Sequence, residues 1–227
     1  YAAHCTTLES DFNQIHGDWA GSAQESLQAG HPGAIALIAI GCGGECNPAV
    51  ARERSKPSRV EDADRHGRTV AAEVSRLLRS GLTPISGDPV ARIKAMELPL
   101  EPLPTRQQWE ERAKLTGVGV AYHARKNLAR LERREPLPTH VPYTIQSWNF
   151  GEDLAMLFLA GEVVGDYSLR FKREFDSNRI WVNAYSNSAP CYIPSRRVLK
   201  TGQYEAVVSM RFYDQPASFS PEIEEMI

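Results

Sequence analysis

At 227 residues, 42% hydrophobic and 24% charged, the chain has a globular composition and enough length for one sizeable core; disorder and repeats are not indicated. A net charge of −2 and a pI near 6.3 argue against a broad cationic footprint for nucleic acid. No stretch reaches the ~18 apolar residues of a membrane span, the longest candidates being strand-length.

The chain begins Tyr1-Ala-Ala-His-Cys-Thr-Thr, with no signal-like leader. Asp18–Gln28 reads as a helix begun by an Asp cap, and Gly30-His-Pro-Gly33 as a turn into an all-apolar strand, Ala34–Ile40. A small-residue loop follows, Gly41-Cys-Gly-Gly-Glu-Cys-Asn-Pro48. The polar Ala51–Asp64 segment reads as an exposed connection, and Gly67–Arg79 as an amphipathic helix with Val70, Val74, Leu77 and Leu78 on one face. Leu98–Arg106 is proline-rich and extended. Thr105 then caps a charged helical region, about Arg106 to Arg134, broken at Gly117-Val-Gly119. Tyr143–Phe150, a turn at Gly151-Glu-Asp153 and the apolar Leu154–Ala160 give a hairpin signal. Gly161 and Glu162 lead into a helix-like Val163–Phe175. Ile180–Tyr185 is a further strand, emptying into the loop Ser186–Pro194. Ser220–Ile227 reads as a helix cut off after its first turns, with Ser220 as N-cap and Pro221 at its first position. The expectation is a fragment of a longer protein.

Strands interleaved with helices plus a hairpin predict an α/β fold: a mixed β-sheet core, helices packed outside, and a site at the strand ends. Within it, Glu162 stands out, because an acid at the end of a buried strand is costly to desolvate unless a metal, a base or a hydrogen-bond network receives it. The alternative is that Glu162 charges the first turn of the next helix, where the dipole favours a negative side chain. The four cysteines, Cys5, Cys42, Cys46 and Cys191, are too sparse for a disulfide scaffold, and Cys42-x-x-x-Cys46 lacks the second ligand pair of a structural zinc site. Small buried thiols are the expectation.

His, Glu and Tyr side chains are nitrogen and oxygen donors suited to zinc. Ala-Ala-His4-Cys-Thr-Thr-Leu, Gly17-Asp-Trp-Ala-Gly21, Leu159-Ala-Gly-Glu162-Val and Asn183-Ala-Tyr185 with Tyr192-Ile and Tyr204-Glu occur in this order. Together these segments resemble the catalytic domain of the neutral/alkaline, non-lysosomal ceramidase family and its bacterial relatives. The resemblance covers most of the chain and implies that residues 1–227 form the C-terminal portion of such a domain, with its N-terminal part missing. It implies zinc as cofactor, His4, Glu162 and Tyr192 as metal ligands, and Tyr204 as a hydrogen-bonding group beside the scissile amide. The implied substrate is a small-molecule or lipid amide, met at a membrane surface if it is ceramide, and a secreted or periplasmic location would follow from the family alone.

Two departures matter. The family's further histidine ligand, in a Thr-His-Thr-His motif upstream, has no counterpart here. The family's active serine falls at Asn47, in Gly44-Glu-Cys-Asn47-Pro48, and an amide is neither a nucleophile nor a titrating group. Asn47 is therefore expected to orient a water or donate to an oxyanion. Cys46 next to it lacks an evident base partner. The rival expectation is a non-catalytic, metal-containing binding protein derived from the same fold; a purely structural role is the third.

Overall fold

The structure, a computed structural model, describes residues 1–49 and 59–227. It is an α/β fold whose sheet is mixed, as the alternation of periodicities predicts. Strand β1 (Pro89–Pro99) pairs antiparallel with β2 (His140–Phe150), β2 pairs antiparallel with β3 (Leu154–Leu159), and β3 pairs parallel with β5 (Ile180–Asn183), giving a 4-stranded sheet in the order β1-β2-β3-β5. A second, 2-stranded pairing joins β4 (Glu162–Val163) in parallel to β6 (Tyr192–Ile193).

Around these strands lie α1 (Asp18–Gly30), α2 (Val60–Arg79), α3 (Arg106–Ala113), α4 (Val118–Glu132), α5 (Gly165–Glu174) and the short α6 (Arg196–Leu199) and α7 (Ile223–Met226). A π-helical turn, Tyr204–Val208, runs directly into a 3-10 turn, Ser209–Arg211. The main core gathers Leu98, Val141 and Tyr143 from the hairpin side, Leu159, Val163 and Val182 from the middle, and Tyr167 and Phe171 from α5. A satellite core of Trp109, Ala124 and Leu137 joins α3 and α4. Among the described residues no helix is long and apolar enough to cross a membrane.

Local signals act where hydrogen bonds close within a few residues. Thr105 and Gln108 form a reciprocal capping box on α3, satisfying amides the first helical turn leaves free. Asp18, expected as the cap of α1, is instead its first residue after the N-cap Gly17, and its carboxylate accepts from the amides of Trp19 and Leu8, at 2.7 and 2.8 Å, rather than from the next helical turn. Helix α2 crosses α1 at Gly67, where a Cβ would lie 2.5 Å from Ser22 Cβ and 2.7 Å from the Trp19 carbonyl oxygen; only the missing side chain allows this approach.

Several expectations need correction. Ala34–Ile40 is extended but not a strand: its backbone meets the side chains of Gln24 and Gln28, and Ile35 and Leu37 are each 83% exposed. Helix α2 begins at Val60, so the exposed connection expected over Ala51–Asp64 fails from there on, while positions 51–58 lie outside the described residues. Leu77 and Leu78 are exposed rather than packed, because α2 meets α1 through Ala63, Gly67 and Ala71. Glu162 and Val163 are strand, so the helix starts only at Gly165. Ser220 does not cap the last helix; its amide donates to the Pro99 carbonyl and α7 starts at Ile223. Cys42 and Cys191 are buried thiols, whereas Cys5 is exposed and Cys46 half-buried. Strand β1 has no counterpart among the sequence-based expectations.

Candidate functional site

Strand β3 carries the chain through the core to Ala160, after which Glu162 donates its amide to the Cys191 carbonyl and pairs in register with Tyr192. Parallel pairing places neighbouring side chains of like register on one face, so Glu162 and Tyr192 stand side by side. The segment after β5 returns alongside: Tyr185 donates its amide to the Gly161 carbonyl and Ser186 donates to that of Leu159. Tyr185 adopts a left-handed backbone, φ 53°, which is uncommon for a bulky residue and collects at functional sites.

The small-residue loop delivers the histidine. Gly44 donates to the Val163 carbonyl at 2.9 Å, and a Cβ there would lie 2.6 Å from the Glu162 carbonyl oxygen, so the loop lies flat on β4 only because it has none. His4 donates its amide to the Cys46 carbonyl at 2.8 Å, and its Nε2 donates to the Gly44 carbonyl at 2.8 Å. Since a carbonyl only accepts, Nε2 carries the proton and Nδ1 of the neutral ring carries the lone pair. That nitrogen faces Tyr185 Oη at 3.2 Å and Glu162 Oε2 at 3.6 Å.

Glu162 is therefore received by a hydrogen-bond network. Tyr185 donates to Oε2 at 3.2 Å and Tyr213 donates to Oε1. Tyr192 also hydrogen-bonds Glu162, its hydroxyl lying 3.4 Å from His4 Nε2, and Tyr204 meets the Tyr192 ring edge-on with centroids 5.6 Å apart. Burial, then the charge and hydrogen bond of Glu162, push the phenols of Tyr185 and Tyr192 well above 10. For Tyr213 the order after burial is the hydrogen bond, then the charge; Tyr204 is raised by burial, then by Glu162 and Glu205. These hydroxyls are held as donors.

Thus His4, Glu162 and Tyr192 come together, and Tyr204 flanks them at the exposed rim. Asn47 is exposed nearby, its Oδ1 accepting from Thr6 Oγ1 at 2.9 Å. Cys46 is no thiolate: burial, then Glu45, raises its thiol. Two participants were not assigned from sequence. Tyr185 lies two residues past the end of β5, a position that could have flagged it; Tyr213 follows a turn and carries no local signal.

Among the described residues no three His, Cys, Asp or Glu side chains are grouped to hold a metal ion, so any such site here must recruit phenols. Donors on a tetrahedral zinc with bonds of about 2.0–2.2 Å lie about 3.3–3.6 Å apart. His4 Nδ1, Glu162 Oε2 and Tyr185 Oη, separated by 3.2, 3.2 and 3.6 Å, fit one face of such a tetrahedron. Tyr192 reaches Glu162 as well, but its hydroxyl lies 3.4 Å from the other ring nitrogen, Nε2, which is engaged with the Gly44 carbonyl. Compared with known proteins, the chain matches no family model and no curated sequence.

Proposed function

We propose that this chain carries the centre of a zinc-dependent hydrolase resembling neutral ceramidase, cleaving an N-acyl amide such as ceramide or a related lipid or N-acyl compound. The observation that supports it is the convergence of His4, Glu162 and Tyr192, drawn from distant parts of the sequence, with Tyr204 against Tyr192. His4 and Glu162 would hold the metal with a phenol, Tyr192 by family resemblance or Tyr185 by spacing, leaving a position for water as catalytic zinc sites do. Zinc bound there would supply a Lewis acid for the amide carbonyl and an acidified water.

The protein's own groups have distinct tasks. Tyr213 fixes Glu162 by its Oε1, and Gly44 fixes the imidazole by its Nε2. Tyr204, protonated and 46% exposed, is a donor for an oxyanion developing at the rim. Asn47 has its carbonyl engaged by Thr6, which leaves its amide protons to orient a water.

A non-catalytic binding protein is the second reading, favoured by the asparagine at 47 and by the tyrosine hydroxyls on both oxygens of Glu162. Elemental analysis of the complete parent protein, in which any ligand from outside residues 1–227 is also present, after zinc loading and dialysis, with turnover of fluorogenic N-acyl amides, separates the two. The hydrolase reading expects stoichiometric zinc and turnover, both lost in Glu162→Gln, with Tyr192→Phe or Tyr185→Phe identifying the phenol ligand. Zinc without turnover on any amide or ester supports the binding reading. Failure to retain zinc overturns both.

A further inference from the structure

A cleft of about 460 Å³, separate from the Glu162 cluster in its lining, lies between α3 and α4 on one wall and Val207–Ser218 on the other. Its volume falls within the range of small-molecule sites, about 300–1,000 Å³. Two guanidiniums line it, Arg112 and Arg211, close enough that Arg211 depresses Arg112 in addition to the effect of burial. Neither forms an ion pair among the described residues. The nearby carboxylate of Asp214 is already taken by Lys126 and Arg130, at 2.7 and 2.5 Å. Glu101 is the one acid in the lining, so two fixed positive charges face one negative.

The cleft also offers a directed donor. Arg130 donates to Asn127 Oδ1 at 3.2 Å, which fixes that amide and turns its Nδ2 towards His123 Nε2 at 3.1 Å. An amide NH2 only donates, so Nε2 is the acceptor and the neutral ring carries its proton on Nδ1. That N–H has no partner among the described residues, and His123 lines the cleft while being only 5% exposed. Trp109 packs between Arg112, 5.0 Å over its ring, and the edge of His123, at 5.5 Å. Its buried indole N–H is likewise unpartnered. Leu115, Val120 and Met210 add apolar surface, with Gln215 and Ser218 as further polar groups in the lining.

We propose that this cleft binds a small organic oxyanion, a phosphate or carboxylate head on an apolar body, with Arg112 and Arg211 gripping the head and His123 Nδ1–H as a further donor. Guanidinium forks match such heads geometrically, and two neighbouring like charges without an acid partner are stabilised by receiving one. Because Val207, Met210 and Arg211 belong to the same two turns as Tyr204, with Tyr213 two residues beyond them, the cleft and the Glu162 cluster share a wall. Anion binding itself does not depend on the hydrolase reading.

The test is isothermal titration of the full chain with phenyl phosphate at constant ionic strength, alongside inorganic phosphate and benzyl alcohol, with Trp109 fluorescence followed in parallel. The expected result is saturable binding of phenyl phosphate at one site per chain, tighter than either control, with a fluorescence change. Arg112→Gln and Arg211→Gln each weaken it by at least about tenfold, the loss of a charged hydrogen bond, while Arg76→Gln leaves it unchanged. Should a glutamine variant fail to fold by circular dichroism, Arg112→Lys or Arg211→Lys replaces it, with several-fold weakening expected from loss of the fork. No saturable binding, equal affinity in the arginine variants, or benzyl alcohol binding as tightly as phenyl phosphate overturns the proposal.

Discussion

Two runs in this chain, Ala34–Ile40 and Leu154–Ala160, are both seven residues long and entirely apolar, yet have opposite fates. Leu154–Leu159 becomes β3 and is bonded on both sides, antiparallel to β2 and parallel to β5, with Leu159 fully buried. Ala34–Ile40 stays extended and turns Ile35 and Leu37 to the surface, its backbone held by Gln24, Gln28, the first residue and a bond from Ala184. Hydrophobicity predisposes a segment to leave water, but a strand forms only where neighbouring backbones complete its hydrogen bonds. Among the described residues the first run has no such ladder.

The contrast can be broken at both ends. Leu159→Ala removes a fully buried side chain beside Glu162 and should cost about 2–5 kcal/mol in urea unfolding. Gly67→Ala forces a Cβ into the backbone of α1 and should cost about 1–3 kcal/mol, even though alanine favours helix, as read from the thermal midpoint.

A pH effect belongs to the β3 side of the comparison. Tyr143 and Tyr167 pack in its core, and burial raises both phenols well above 10. The folded state then holds protons that the unfolded state releases. Stability from these groups should be full below about pH 10 and decline as pH rises beyond that value towards the raised folded ones, with tyrosinate absorbance appearing together with loss of circular dichroism. Two separate transitions would show the phenols titrating in the intact fold. At the other end, Leu37→Ser should change stability by no more than about 0.5 kcal/mol, since the side chain is 83% exposed; a larger loss would mean that the run is packed in solution.

The same division governs how much could be read in advance. The hairpin of β2 and β3, the helix after Thr105 and the interruption near Gly117 were legible, because a turn or a cap acts over a few residues. Strand β1 was not: its first seven residues are exposed on both faces, with charged Arg92 and Lys94 on one and Ile93 on the other, and its pairing with β2 is set across a long separation. In the site, Glu162 was conspicuous as a charge following a buried strand. Tyr213 was invisible, because its only distinction is a hydroxyl delivered to Glu162 by a π-helical and a 3-10 turn. Such irregular turns lack a residue pattern.

By itself, then, the sequence determined the β2–β3 hairpin, the capping box on α3 and the cost of placing Glu162 where it stands, since those depend on neighbours along the chain. Tertiary structure alone decided that Glu162 pairs in register with Tyr192, that Gly44 presses the His4 segment against β4, and that Arg112 and Arg211 face one cleft. The reason is physical: a hydrogen bond or an ion's field depends on distance in space, and these groups become neighbours only when segments far apart in the chain pack together.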